Sequence, residues 1–236
     1  MIEGEHIDDM GADKELNELS TKFITDSSKY KYSYHFTWLG RPIIQFPQDI
    51  IAIQEIIWEI KPDLVIETGI AHGGSLILSA SILELIGHGK VLGIDIDIRD
   101  HNKKSIENHF LSKRIQMIEG SSIDKEIISK VEEIAKDQKK ILVILDSNHT
   151  HEHVIKELEL YSKFVKKDSY LVVFDTVIEN MSEDSFPDRP WNKKNNPKTA
   201  VWEFLKNNDR FEIDKKIENK LLITVAPDGY LKCIKD

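Results

Sequence analysis

The sequence is almost without cysteine. Cys233 is the only one, so no disulfide can form within the chain. No apolar run approaches the ~18 residues that a membrane-spanning helix needs. Positive charge is also in deficit: Lys plus Arg number 32 against 41 Asp plus Glu, for a net charge of -9. Electrostatic wrapping of nucleic acid needs a basic face, so that class of partner is disfavoured. The first residues, 1–13, are acidic and polar and hold no signal-peptide core. A cytoplasmic location is the default expectation.

What is present is ordinary globular composition. Hydrophobic residues make up 40% and charged residues 31%, values that exclude collagen, mucin-like stalks and a wholly disordered chain. At roughly 150 residues per domain the length fits one decorated α/β domain or two small ones. Residues 1–12 read as a mobile tail, and Leu16, Leu19 and Phe23 place a short helix over 13–24. Tyr32, Tyr34, Phe36 and Trp38 mark residues 30–45 as a packed connector or a pocket wall. Pro47 opens a helix that Pro62 ends.

From there short apolar runs alternate with helical periods. Residues 63–67, 90–95, 115–119, 140–146 and 170–175 read as buried strands. Residues 75–86, 103–111, 124–137 and 150–165 read as helices between them. That alternation implies a parallel sheet covered on both faces. The polar stretch 178–198, with Pro187, Pro190 and Pro197, is too long for a routine connection and reads as a lid, a binding loop or a disordered segment. A helix over 199–207 follows. Residues 211–217, 221–225 and 230–234 then read as antiparallel edge strands, with a turn at Pro227-Asp228-Gly229.

The chemistry gathers at the strand ends. Glu67-Thr68-Gly69-Ile70-Ala71-His72-Gly73-Gly74-Ser75 joins the first parallel strand to its helix, where open α/β sheets bind ligands. It is neither G-x-G-x-x-G nor a P-loop, because it has no lysine. An acid just before the glycines repels pyrophosphate but suits an ammonium group. A tight glycine-packed turn explains the same residues. Asp95, followed by Ile96, ends the second strand and suits ribose hydroxyls or the anchoring of its own loop. Ser121 and Ser122 follow the third strand, as adenine contacts or as a helix cap.

Asp146 and Asp175 end the fourth and fifth strands. Two hard oxygen ligands on one rim suit Mg²⁺, and loop anchoring is the alternative. His149, His151 and His153 alternate at a helix start. Neighbours in that series point about 200° apart on a helix, so they do not share a zinc ion. His149, three residues after Asp146, can face the site as a general base, with a structural histidine as the alternative.

Together these segments resemble the cephalosporin hydroxylase/rhamnosyl O-methyltransferase family within the class I S-adenosylmethionine methyltransferases. The resemblance rests on TWLGRPIIQFPQD (37–49), KPDLVIETGIAHGGS (61–75), LGIDID (92–97), LDSNHTHEHV (145–154), VVFDT (172–176) and RPWNKKNNPKTAVWEFL (189–205). It covers nearly all the chain after about residue 30. It implies a Rossmann-like α/β fold, a mainly parallel seven-stranded sheet with helices on both faces and an antiparallel C-terminal edge. Residues 31–236 would form one domain with a lid-like loop at 178–198, preceded by a tail and short helix over 1–30.

The resemblance also implies S-adenosylmethionine held by Glu67, Gly69, Ala71, His72, Gly73, Ser75, Asp95, Ile96, Ser121, Ser122 and Asp146. Mg²⁺ would sit on Asp146 and Asp175, with His149 as base. Relatives often carry Glu, a metal ligand, just before the second strand-end Asp. Here that residue is Phe174, leaving water, Thr176 or substrate oxygens to complete the coordination. Trp38, Gln45, Arg189, Trp191 and Asn196 are candidate acceptor contacts. The implied reaction is O-methylation of a sugar or other small molecule by a homo-oligomer. Phe174 keeps a catalytically impaired S-adenosylmethionine-binding protein as an alternative. An NAD-dependent oxidoreductase is the other, against which the glycine pattern and Glu67 argue. No facial 2-His-1-carboxylate set for oxidative hydroxylation is evident.

Overall fold

The structure, a computed structural model, describes residues 2–236, with side chains from residue 4 onward. Two helices, α1 (Ile2–Ala12) and α2 (Lys14–Ser28), lead into a short hairpin of β1 (Phe36–Trp38) and β2 (Arg41–Ile43). After α3 (Pro47–Ile60) the chain alternates through β3 (Leu64–Thr68), α4 (Gly74–Ile86), β4 (Lys90–Asp95), α5 (Asp100–Glu107) and β5 (Ile115–Glu119). It continues with α6 (Lys125–Ala135), β6 (Ile141–Leu145), α7 (His151–Tyr161) and β7 (Tyr170–Val173). Last come α8 (Pro197–Asn207), β8 (Phe211–Ile213), α9 (Lys215–Leu221) and β9 (Tyr230–Cys233).

The main sheet has seven strands in the order β5-β4-β3-β6-β7-β9-β8. The first five are parallel, and β9 pairs antiparallel with both β7 and β8. The expected mainly parallel sheet with an antiparallel C-terminal edge is therefore present. The central strands β3, β6 and β7 are buried along their whole length because both faces are covered, while the edge strands β5 and β8 carry exposed polar residues. Along β6, Leu142 and Ile144 face the layer of α3 and α4, while Ile141, Val143 and Leu145 face that of α6, α7 and α8. Full burial of each such side chain contributes about 1.5–3 kcal/mol.

The chain runs outward from β3 through β4 to β5, then returns to β6 on the other side of β3. The loops after β3 and β6 diverge at this switch point and leave a crevice at the carboxyl ends of the strands. They also touch. The Asp146 amide donates to the Thr68 carbonyl at 2.9 Å. Gly69, at φ +90°, lies so close that a Cβ there would meet the Asp146 carbonyl oxygen at 2.1 Å.

Three expectations change. The segment expected to be a mobile tail is helical as α1 and lies against α9, where Gly11 abuts Asn219; Met1 falls outside the described residues. Its composition gave no helical signal, so tertiary contact sets its state. The short helix placed at 13–24 runs further, to Ser28, with the Asp13 side chain as its N-cap. The edge strand expected at 221–225 is absent among the described residues, and 211–217 is strand only to Ile213. Asp214 caps α9 instead, accepting from the Lys216 amide at 3.1 Å. Leu222, at φ 57°, ends that helix.

Candidate active site

The glycine loop starts where β3 ends. Its backbone is held by Asp95: Oδ2 accepts from the Ile70 amide at 2.7 Å and the Ala71 amide at 3.3 Å. Oδ1 accepts from the Asp97 amide at 3.1 Å. Asp95 thus anchors the loop while lining the cleft beside it. Arg41 of the hairpin steadies the far side, donating to the His72 carbonyl and, at 3.1 Å, to Asn102 Oδ1.

Glu67 lies beneath this loop and is only 2% exposed. Ser75, in the first turn of α4, donates to Oε1, while Oε2 has no hydrogen-bond partner. Burial pushes the Glu67 carboxyl up to about 7, against the relief given by Ser75. A buried acid with an orphaned oxygen is costly unless a ligand completes it.

The end of β6 and the turn after β7 build the floor. Ligand atoms of Asp146, His149 and Asp175 all lie within 4.8 Å of one another. His149 Nε2 is 3.1 Å from Asp175 Oδ2. Gln45 Nε2 donates to Asp146 Oδ2 at 3.3 Å. Burial, then repulsion by Asp175 and Glu67, raises the Asp146 carboxyl well above the ordinary carboxylate range. Mutual repulsion between gathered carboxylates is what a bound cation relieves. The two carboxylates are hard oxygen donors that fit a divalent ion such as Mg²⁺, and the imidazole beside them would suit a softer first-row ion.

The three alternate histidines do separate. His151 Nδ1 meets the Thr199 hydroxyl at 2.8 Å, and its Nε2 lies 3.2 Å from Glu203 on α8. His153 Nε2 sits 3.1 Å from the Ser122 hydroxyl, 3.2 Å from that of Ser147 and 3.5 Å from buried Glu157. Only His149 turns to the floor.

A cleft of about 540 Å³ joins loop and floor. Gln45, Gly69, Ala71, His72, Ser75, Asp95, Asp146, His149, Asp175, Arg189 and Trp191 all line it. Trp191 packs edge-on against His149 with centroids 4.7 Å apart, and the Arg189 guanidinium lies over the Trp191 ring at 5.2 Å. Segment 178–198 therefore reaches the floor. Its base is held by Glu179, which accepts from Asn196 Nδ2 at 2.7 Å and from the Lys194 amide at 2.8 Å.

Other expected contacts lie elsewhere. Gly73 is the N-cap of α4, behind the loop, and Ile96 is 74% exposed outside the cleft. Ser121 does not line the cleft, and Ser122 is engaged by His153. Trp38 donates from Nε1 to the Ser81 hydroxyl at 3.0 Å, packing on α4. Asn196 is buried as the cap of α8. The Thr176 hydroxyl donates to the Pro227 carbonyl at 2.6 Å, away from the carboxylate cluster. Phe174 is buried in the apolar layer beneath the floor with Tyr170 and Val172.

Ile24 and Ser28 are cleft residues that carried no sequence signal of their own. Ile24 and Ser28 of α2, together with Lys31, Tyr32, Ser33 and Tyr34, form one wall, so residues 30–45 supply a pocket wall as well as a packed connector. Met181 and Phe186 complete the apolar side. Only tertiary packing brings Ile24 and Ser28 there.

Comparison with known proteins decides the family. The family model described as Rhamnosyl O-methyltransferase/CmcI matches residues 30–234. The chain belongs to the rhamnosyl O-methyltransferase/CmcI family. Its enzyme class is S-adenosylmethionine-dependent O-methyltransferase. Within the family, a rhamnosyl O-methyltransferase of Mycobacterium bovis is 31% identical over 199 residues, which are 83% of this chain and 77% of the relative. One from Mycobacterium leprae is 32% identical over 142 residues, 59% of this chain and 60% of the relative. An apo structure of CmcI superposes with a TM-score of 0.60 at 17% identity, covering 86% of this chain and 78% of CmcI. A structure of CmcI with Mg and S-adenosylmethionine gives 0.57 at 16% identity, over 85% and 77% of the two chains. These likenesses carry the fold, and the family match removes the oxidoreductase alternative.

Proposed function

We propose that the protein transfers a methyl group from S-adenosylmethionine to a hydroxyl of a sugar or other small-molecule acceptor, with Mg²⁺ at the cleft floor. The observation that carries this reading is the gathering of Asp146, His149 and Asp175 within 4.8 Å, beside the glycine loop. Glu67, with its orphaned oxygen, would hold the cofactor's ammonium group, and Asp95 its ribose hydroxyls. Asp146 and Asp175 would hold the ion. When bound, the cofactor supplies an electrophilic methyl group and the ion supplies Lewis acidity toward the acceptor hydroxyl.

The side chains contribute orientation and proton transfer. His149 takes the acceptor's proton, and Asp175, 3.1 Å away, orients the imidazole and stabilises the imidazolium that forms. Trp191 restrains the ring from the lid side and excludes water from it. The aromatic wall of Tyr32, Tyr34 and Trp191 suits the apolar face of a sugar. Alignment of acceptor and methyl donor is the main gain.

The test is a panel of glycosides and polyols incubated with radiolabelled S-adenosylmethionine, with and without a chelator. The reading predicts labelled methyl ether formation that the chelator suppresses and that His149→Ala abolishes. Labelling that His149→Ala and Asp146→Ala both leave intact would overturn the site.

The proposal includes a cytoplasmic setting and a homo-oligomer. Ile51 and Trp58, each 50% exposed on one face of α3, support association. A monomer mass by light scattering would remove the oligomer.

A further inference from the structure

Asp49, in the first turn of α3, is completely buried, and nothing in the methyl-transfer scheme uses it. Its carboxylate accepts from the Thr224 hydroxyl, from the Val225 amide at 3.0 Å and from the Tyr230 hydroxyl at 2.8 Å. All three donors belong to residues 224–230. An apolar side chain there would leave these donors without an acceptor, so Asp49 fixes where segment 224–230 lies.

The segment it holds grips the floor. The Val177 amide donates to the Val225 carbonyl at 3.1 Å, and the Thr176 hydroxyl donates to the Pro227 carbonyl at 2.6 Å. On the other side the Phe174 amide donates to the Leu145 carbonyl at 3.0 Å. Asp175 stands between these anchors with φ 56°, a left-handed backbone. A non-glycine residue keeps that conformation where its surroundings over-determine it. The anchors do so, and two of the three hang on the segment tied to Asp49.

We propose that Asp49 is a positioning residue for Asp175: through segment 224–227 it sets the left-handed turn that aims the Asp175 carboxylate at Asp146 and His149. The inference rests on the reading of that cluster as a metal site. Asp49→Asn keeps the shape but replaces one accepting oxygen by an NH₂ group, so either the Val225 amide or the Thr224 and Tyr230 hydroxyls lose their acceptor. Thr224→Val and Tyr230→Phe each remove one donor and leave the charge.

The experiment is calorimetry with Mn²⁺ alone, which imidazole-containing sites bind more readily than Mg²⁺, at about pH 8, above the ordinary carboxylate range. S-adenosylhomocysteine is titrated in parallel. Folded Asp49→Asn should bind Mn²⁺ about 10-fold or more weakly, in the range for lost outer-sphere support. Its affinity for S-adenosylhomocysteine should fall less than that for Mn²⁺, because the hydrogen bonds of Asp49 all go to segment 224–230, although Asp49 shares a small cavity with Glu67 and Asp146. A purely structural role would lower the melting temperature and leave the Mn²⁺ affinity of the folded variant unchanged. Unchanged Mn²⁺ affinity in folded Asp49→Asn overturns the inference; should that variant fail to fold, unchanged affinity in both Thr224→Val and Tyr230→Phe does so. Wild-type protein that binds no Mn²⁺ would instead overturn the metal reading, and the inference with it.

Discussion

His149 Nε2 stands 3.1 Å from Asp175 Oδ2, joining the turn after β6 to the turn after β7. The pair couples the proposed general base to a proposed cation ligand. Asp175→Asn removes the charge and keeps the volume. Turnover should fall about 100-fold or more, the usual worth of a positioned acid-base group. Cofactor affinity, measured by calorimetry, should not change, because the proposal puts Asp175 on the acceptor side.

Glu67 carries a cost in the free enzyme. Its folded pKa is raised to about 7 from an ordinary 4.5, by burial. The neutral form's advantage is fully present below about pH 4.5 and is lost as pH rises to about 7, a fall of roughly 3 kcal/mol. Glu67→Gln should abolish that slope in chemical denaturation and leave the apo variant more stable than wild type above neutrality. The same substitution should weaken S-adenosylmethionine binding about 10-fold or more, as a charge-assisted contact is lost. Wild-type affinity should rise with pH through about 7 as the carboxyl ionises.

Gly69 is fixed by its neighbours. Gly69→Ala would drive a Cβ into the Asp146 carbonyl from a backbone at φ +90°. Thermal unfolding should report a loss of about 2 kcal/mol or more, with cofactor binding lost as the two loops part.

Asp95 joins the glycine loop to the cofactor cleft. Asp95→Ala frees the Ile70 and Ala71 amides that Oδ2 now accepts from. Hydrogen exchange at those two amides should accelerate in the apo variant, while the β6 amides stay protected. Cofactor affinity should fall in the same variant.

The parallel sheet was legible because strands covered on both faces read as near-continuous apolar runs, as in β6 and β7. The residues at their carboxyl ends followed from the switch-point rule, which brought Gly69, Asp95, Asp146 and His149 to one cleft. Side-chain direction was not legible. Thr176 sits one residue beyond Asp175, yet it turns to Pro227 because the left-handed step reverses the backbone. Trp38 shares its aromatic stretch with Tyr34, but one packs on Ser81 and the other lines the cleft. Asp49 in sequence reads as an ordinary acid in a first helical turn, favoured there by the helix dipole. Its three partners lie more than 170 residues away. Helix α1 has no apolar stripe, and its contact with α9 is equally remote in sequence.

The most direct measurement of the central claim is calorimetric titration of the purified protein with S-adenosylmethionine, S-adenosylhomocysteine and NAD, comparing wild type with Glu67→Gln and Asp95→Ala. The account predicts saturable binding of both sulfur compounds, no heat from NAD, and weakened binding in both variants. No binding of either sulfur compound by folded wild-type protein, or affinity unchanged in both variants, would contradict it.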